Sequence, residues 1–317
     1  MIVIAAAGFA IVYAYRFVIE DRDRRRIAHA FQHYLSPTLV ERLAADPEAL
    51  RLGGESRRVT VMFADVVGYT ALTEKLVAQP ELFVEIVNRF LTYATETIER
   101  HGGYVDKFIG DAVMAIWGAP LDDPQAEQHA VAAAIELRDG LAAFNREADL
   151  PALGLPPLGI RIGVNSGLAV AGNMGATTRL NYTVTGDVVN LAARLESANT
   201  AYRTLILIGE ATASRLTEAI VLRALDRVIV KGKTEAIQIF EVIDRAERID
   251  AATRERLTRF AAAMNALLAR DFAGARLGFA TLAVDDPTAA LLAERASAYA
   301  ELPPAEDWSG SFALDKK

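Results

Sequence analysis

Apolar and β-branched residues run unbroken over 59–64 (VTVMFA), between Arg57-Arg58 and Asp65, a pattern that predicts a short buried strand. Asp65 ends the apolar run, Gly68 and Tyr69 follow, and a helix is expected to open at Thr70. A second apolar pattern over 104–117 (YVDKFIGDAVMAIW) reads as two strands with Gly110-Asp111 at the tip of a tight hairpin. Helical spacing over 81–101 stops at Gly102-Gly103, and 125–147 is a second long Ala-rich amphipathic helix. Segments 160–164 and 168–171 read as a hairpin around Asn165-Ser166-Gly167. Residues 181–196 (NYTVTGDVVNLAARLE) read as a strand, a helix start at Thr185-Gly186-Asp187, and a helix. Strands at 205–208, 220–230 and 237–242 complete a β-α-α-β-β-α-β-β-α-β-α-β-β order over 53–245. Helices and antiparallel hairpins sharing one sheet define an α+β class.

The flanks differ in character. Residues 1–15 are all apolar or small, and 17–19 extend them past Arg16, at the short edge of a membrane span of about 20 residues. The run 22–26 (RDRRR) follows, so a span over 1–19 would leave the rest of the chain in the cytoplasm. A buried or peripheral amphipathic helix is the alternative. Residues 20–52 read as a helical linker with Phe31, Tyr34, Leu35, Leu39, Val40 and Leu43 on helical spacing and a new start at Ser36-Pro37. Residues 246–302 read as three helices, the first two spaced like one tetratricopeptide-type hairpin. One such unit cannot bury its own face and needs a neighbour. The tail 303–317 carries Trp308 as an apolar anchor and then a loose end.

Composition narrows the function. The chain has 317 residues, a formal net charge of −7 and no basic stripe with interleaved aromatics, which argues against a nucleic-acid partner. It has no cysteine, which excludes disulfides and thiolate metal sites. The hydrophobic share of 52% is high for a wholly soluble chain. The remaining chemistry lies in the aspartates. A carboxylate leaving a buried strand beside a glycine turn and a helix start suits a divalent cation with phosphates, although Asp65 alone could simply begin a turn. Asp111 changes that balance. Two strand-end aspartates on neighbouring strands repel unless a cation lies between them, which argues for Mg²⁺ held with phosphates. Asn190 and Arg194 stand four apart and share one helix face.

In sequence order, FADVVGYT, KFIGDAVMA, IRIGVNSG, YTVTGDVVNLAAR and VKGK resemble the class III nucleotidyl cyclases, over about 57–243. The resemblance implies a ferredoxin-like βαββαβ palm, a homodimer, and conversion of ATP into cyclic AMP and pyrophosphate. It implies two Mg²⁺ or Mn²⁺ ions held by Asp65, Asp111 and the carbonyl of Val66. The backbone of Val67, Gly68, Tyr69 and Thr70 would cradle phosphates, and Arg161 and Lys231 would hold the triphosphate. Asn190 would orient the ribose and Arg194 would stabilise the transition state. Lys107 and Thr183 match the pair that reads the base, and a donor-only lysine suits the N1 acceptor of adenine. A guanylate cyclase, which usually carries Glu and Cys there, and a catalytically silent cyclase-like scaffold are the alternatives.

Overall fold

The computed structural model describes residues 53–176, 179–229 and 236–313. The expected span over 1–19, the linker over 20–52 and Lys231 lie outside the described residues. Among the described residues no helix is long and apolar enough to cross a membrane.

Strand β1 (Gly53–Val67) leads through α1 (Tyr69–Leu76) and α2 (Pro80–Arg100) to the hairpin β2 (Tyr104–Ile109) and β3 (Ala112–Trp117). Helix α3 (Ala126–Glu147) returns the chain to β4 (Gly159–Ala176), followed by β5 (Arg179–Thr185) and α4 (Asp187–Tyr202). Then come β6 (Ile206–Gly209), α5 (Glu210–Ala213), β7 (Ile220–Ile229) and β8 (Ile237–Arg245). Helices α6 (Ala251–Leu268), α7 (Phe272–Ala280) and α8 (Pro287–Glu301) precede a last strand, β9 (Ser311–Ala313).

The sheet runs β2-β3-β1-β4-β6-β8-β7-β9, with β5 paired to β4 off that path. Strand β1 pairs antiparallel with β3 on one side and β4 on the other, and β2 pairs antiparallel with β3. With α1–α2 joining β1 to β2 and α3 joining β3 to β4, this is the split βαββαβ arrangement that the motifs imply.

The pattern of burial explains why the sheet has two covered faces. In β6, Ile206 and Ile208 join a core with α2 and α3, whereas Leu207 joins a second core with α4, α6, α7 and α8. Alternate residues of a strand point to opposite faces, so helices must cover both. The second core also takes Leu225 and Val228 of β7 and Ile239 of β8. The C-terminal helices therefore find their stacking neighbour in the chain's own sheet and α4. Each starts on an aspartate cap: Asp250 accepts from Thr253, Asp271 from Gly274, and Asp286 from Thr288 and Ala289.

Two expectations are corrected. Residues 160–164 and 168–171 do not form a hairpin but belong to one 18-residue strand, β4. The turn-like Asn165-Ser166-Gly167 sits in mid-strand, paired with Val61, Thr60 and Val59 of β1. Its polar groups are used in the interior. Ser166 Oγ lies 2.9 Å from both Thr60 Oγ1 and Thr212 Oγ1, and Asn165 Nδ2 donates to the Val188 carbonyl at 3.3 Å. The tail is also held to the fold as far as Ala313. Trp308 packs on Phe272 and Tyr299, and residues 311–313 add β9 parallel to β7.

Candidate active site

Asp65 lies within β1, opposite Arg161 of β4. Pairing of β1 with β3 stops at Ala64 and Val113, so Asp65, Val66 and Val67 have no β3 partner on that edge. The Gly110-Asp111 turn closes β2 onto β3 at the same end. Gly110 has φ +67° while Asp111 has none in the positive range, the pattern of a two-residue turn with glycine first. Asp111 is thus brought beside Asp65, and both burial and the Asp65 charge hold its carboxyl above the usual carboxylate range. Arg161 answers this charge in part. Its Nη2 donates to Asp65 Oδ2 at 2.5 Å and its Nη1 to Thr200 Oγ1 at 2.5 Å.

A third carboxylate, Glu196 of α4, was not foreseen from the sequence. Its Oε1 lies 3.2 Å from Arg161 Nε, yet both atoms are buried without a hydrogen-bond partner. Burial and the Asp65 charge push the Glu196 carboxyl up. Three carboxylates around one guanidinium leave an excess of negative charge, which a cation would offset. These donors fit a divalent cation carrying phosphates. Among the described residues no three His, Cys, Asp or Glu groups could enclose a metal alone, so phosphate and water oxygens would complete the shell.

The expected phosphate loop, 67–70, leads into α1. Gly68 adopts φ +99° at the start of α1, where a side chain would be strained. The first turn of α1 carries no acidic residue, so its backbone N–H groups from Tyr69 and Thr70 onward face no competing carboxylate of their own helix.

Lys107 and Thr183 are also brought together, although they sit on β2 and β5, which are not adjacent in the sheet path. Tyr104 of β2 donates to the Tyr182 carbonyl at 3.2 Å, and the two rings meet edge to face at 6.1 Å. That contact holds β5 against β2, and Lys107 Nζ donates to Thr183 Oγ1 at 3.2 Å. Asp106, another residue the sequence reading passed over, stands at the same hydroxyl.

Helix α4 carries the rest. It lies so close over β4 that a Cβ on Gly163 would come within 2.1 Å of Glu196 N and 2.3 Å of the Ala192 carbonyl oxygen. Glycine at 163, in the IRIG motif, is what lets the helix sit there. Asn199 Nδ2 ties it to the Ile162 carbonyl at 3.0 Å. Asn190 and Arg194 line a cavity of about 690 Å³ together with Asn165, Leu168, Asp187 and Glu210. Asp65, Asp111 and Lys107 do not line that cavity. Asn190 and Arg194 thus share one hollow on this chain.

A sheet of this topology, with paired aspartates at one end and an Asn/Arg face on α4, defines the class III cyclase catalytic fold. The family model of the adenylate and guanylate cyclase catalytic domain matches residues 54–242, and the chain belongs to that family. It is 35% identical over 199 residues to adenylate cyclase 1 of Rhizobium meliloti, covering 62% of this chain and 29% of that protein. It is 35% identical over 227 residues to adenylate cyclase of Anabaena cylindrica, covering 70% of this chain and 43% of that protein. The chain therefore spans less than half the length of these relatives. Among solved structures it is similar to the adenylyl cyclase CyaB from P. aeruginosa, with TM-score 0.56 and 33% identity over 63% of this chain and 100% of that one. The guanylyl cyclase Cya2 gives TM-score 0.56 and 32% identity over 63% and 98%.

Proposed function

We propose that this chain is an adenylate cyclase, converting ATP into 3′,5′-cyclic AMP and pyrophosphate at sites shared between two copies of the chain. The observation that carries adenine over guanine is Lys107 Nζ beside Thr183 Oγ1 at 3.2 Å. A donor-only ammonium complements N1 of adenine and opposes the N1–H of guanine. Mg²⁺ or Mn²⁺, two ions per site held by Asp65, Asp111 and the carbonyl of Val66, would supply the positive charge that lowers the barrier to attack by the ribose 3′-oxygen on the α-phosphorus.

The chain's own residues do the remainder. Arg161, with Lys231 and the 67–70 backbone, would grip the triphosphate and hold pyrophosphate as it leaves. Asn190 would orient the ribose. Arg194 would meet the charge that develops on the α-phosphate, a role suited to a fixed cation. The family likeness supports a site completed by a second copy, with Asp65 and Asp111 on one wall and Asn190 and Arg194 on the other. The apolar run over 1–19 and the basic run after it support a membrane tether with the catalytic domain in the cytoplasm. The similarity to guanylyl cyclase Cya2 makes GTP the competing substrate.

The test is turnover by the purified full chain with ATP and with GTP, each with Mg²⁺ and with Mn²⁺. ATP should be preferred, the product should be cyclic, and Asp111→Asn should abolish turnover while circular dichroism stays unchanged. Near-normal activity in Asp111→Asn would remove the metal assignment, and a preference for GTP would remove the adenylate reading.

A further inference from the structure

The hairpin β2–β3 carries an irregularity at the place where the base would be read. Val105 pairs with Ala115 and Lys107 with Met114, so Asp106 is an extra residue opposite no partner of its own. Successive side chains of a regular strand point to opposite faces. A bulge breaks that alternation and re-aims a side chain. Here it brings two neighbours, Asp106 and Lys107, to one hydroxyl. Thr183 Oγ1 lies 2.5 Å from Asp106 Oδ2 and 3.2 Å from Lys107 Nζ, and Lys107 Nζ lies 3.5 Å from the same Asp106 oxygen.

Donor and acceptor roles follow from chemistry. The lysine ammonium only donates, and an ionised carboxylate only accepts. The Thr183 hydroxyl must therefore send its one proton to Asp106. Its oxygen then accepts from Lys107 and keeps one further lone pair. The Asp106 side chain is 0% exposed, and its Oδ1 is buried with no partner. Holding a carboxylate in this position is unfavourable by itself, which makes a purely structural reason for it weak.

We infer that Asp106 is a specificity-determining residue that turns the Thr183 hydroxyl into an acceptor-only group facing the purine 6-position. A free threonine hydroxyl can donate as readily as it accepts, so alone it would tolerate a 6-oxo group as well as a 6-amino group. With its proton committed to Asp106, it takes the amino hydrogen of adenine and opposes the guanine oxygen. Asp106 acts through Thr183 and is a positioning residue. This inference rests on the adenylate cyclase reading, and on Lys107 and Thr183 lying at the base.

Binding separates the two ideas without requiring turnover. Non-cyclisable α,β-methylene analogues of ATP and GTP would be titrated into the full chain with Mn²⁺, for wild type and for Asp106→Leu. Leucine offers no acceptor, so the Thr183 hydroxyl proton is released towards the base, whereas asparagine could still accept it through its amide oxygen. Wild type should prefer the ATP analogue, and Asp106→Leu should narrow that preference by about 10- to 100-fold, the range for one mispaired buried polar group. In a Thr183→Val background the same Asp106→Leu change should leave the ATP:GTP ratio where Thr183→Val alone puts it.

A wild type with no ATP preference overturns the adenylate reading, and this inference with it. A wild-type preference that survives Asp106→Leu unchanged overturns the inference alone. If Asp106→Leu does not fold, wild type can be tested with the purine riboside triphosphate analogue that has hydrogen in place of the 6-amino group. It should bind about 5- to 10-fold more weakly than the ATP analogue. Equal binding would show that Thr183 accepts nothing from the 6-position and would overturn the inference.

Discussion

Replacing Asp226 with alanine tests how firmly the C-terminal helices hold α4. Asp226 of β7 is 4% exposed, and its Oδ2 accepts from Tyr202 Oη at 2.6 Å and from Arg295 Nη1. Tyr202 is the last residue of α4, while Arg295 lies on α8 and stacks over the Phe312 ring at 4.0 Å. One carboxylate oxygen thus joins the sheet, the end of the Asn190/Arg194 helix and the C-terminal unit. Burial, then the Asp226 charge, holds the Tyr202 hydroxyl far above its ordinary pKa, so the tyrosine stays a donor. Asp226→Ala leaves a buried guanidinium without its counter-charge, a change that destabilises by about 3–5 kcal/mol. At roughly 2–4 °C per kcal/mol for a domain of this size, Tm should fall by about 6–20 °C. Replacing the whole pair, Asp226→Leu with Arg295→Met, should recover most of that loss, because no buried charge is then left alone. Urea unfolding gives the stability loss and thermal unfolding the Tm, both followed by circular dichroism. A loss below about 1 kcal/mol in Asp226→Ala, or a double variant that simply sums its two single variants, would refute the buried-charge argument.

Two further outcomes follow from the site. Arg194→Ala should lower kcat by about 10²–10³ with little change in KM, and steady-state kinetics showing a raised KM at constant kcat would make Arg194 a binding group only. Asp65→Ala and Arg194→Ala chains, each inactive alone, should regain about a quarter of wild-type activity when coexpressed, since about half the dimers are mixed and each of those holds one intact site. Absence of recovery in demonstrated mixed dimers would mean that each chain builds its own site.

Much of this arrangement was legible in the sequence because it depends on local pattern. The order of helices and strands over 53–245 follows from apolar period and glycine stops, and Gly110-Asp111 marked its own turn. The Asp65/Asp111 meeting followed from placing two motifs at the ends of neighbouring strands. Other features depend on contacts between distant residues and leave no local trace. Asn165-Ser166-Gly167 has turn composition, yet it continues as strand because β1 pairs along its whole length and Thr60 and Thr212 satisfy Ser166. The bulge that turns Asp106 towards Thr183 is a register event between β2 and β3, invisible in either strand alone. Glu196 meets Arg161 because Gly163 lets α4 sink onto β4, a contact between distant residues. The stacking neighbour of the C-terminal helices was equally hidden, since it is the reverse face of the same sheet.

The fifteen consecutive pairs between β1 and β4, from Gly53↔Asn173 to Val67↔Gly159, have a mechanical consequence. A pull on Gly53 along the strand loads all of these hydrogen bonds in parallel, as shear, whereas a pull across the strand would break them one at a time. The ladder is therefore stiff along the strand. Asp65 lies twelve residues beyond Gly53 on the same strand, about 40 Å at the rise of an extended chain. A load applied at Gly53 along the strand would therefore be carried to Asp65 with little lost on the way.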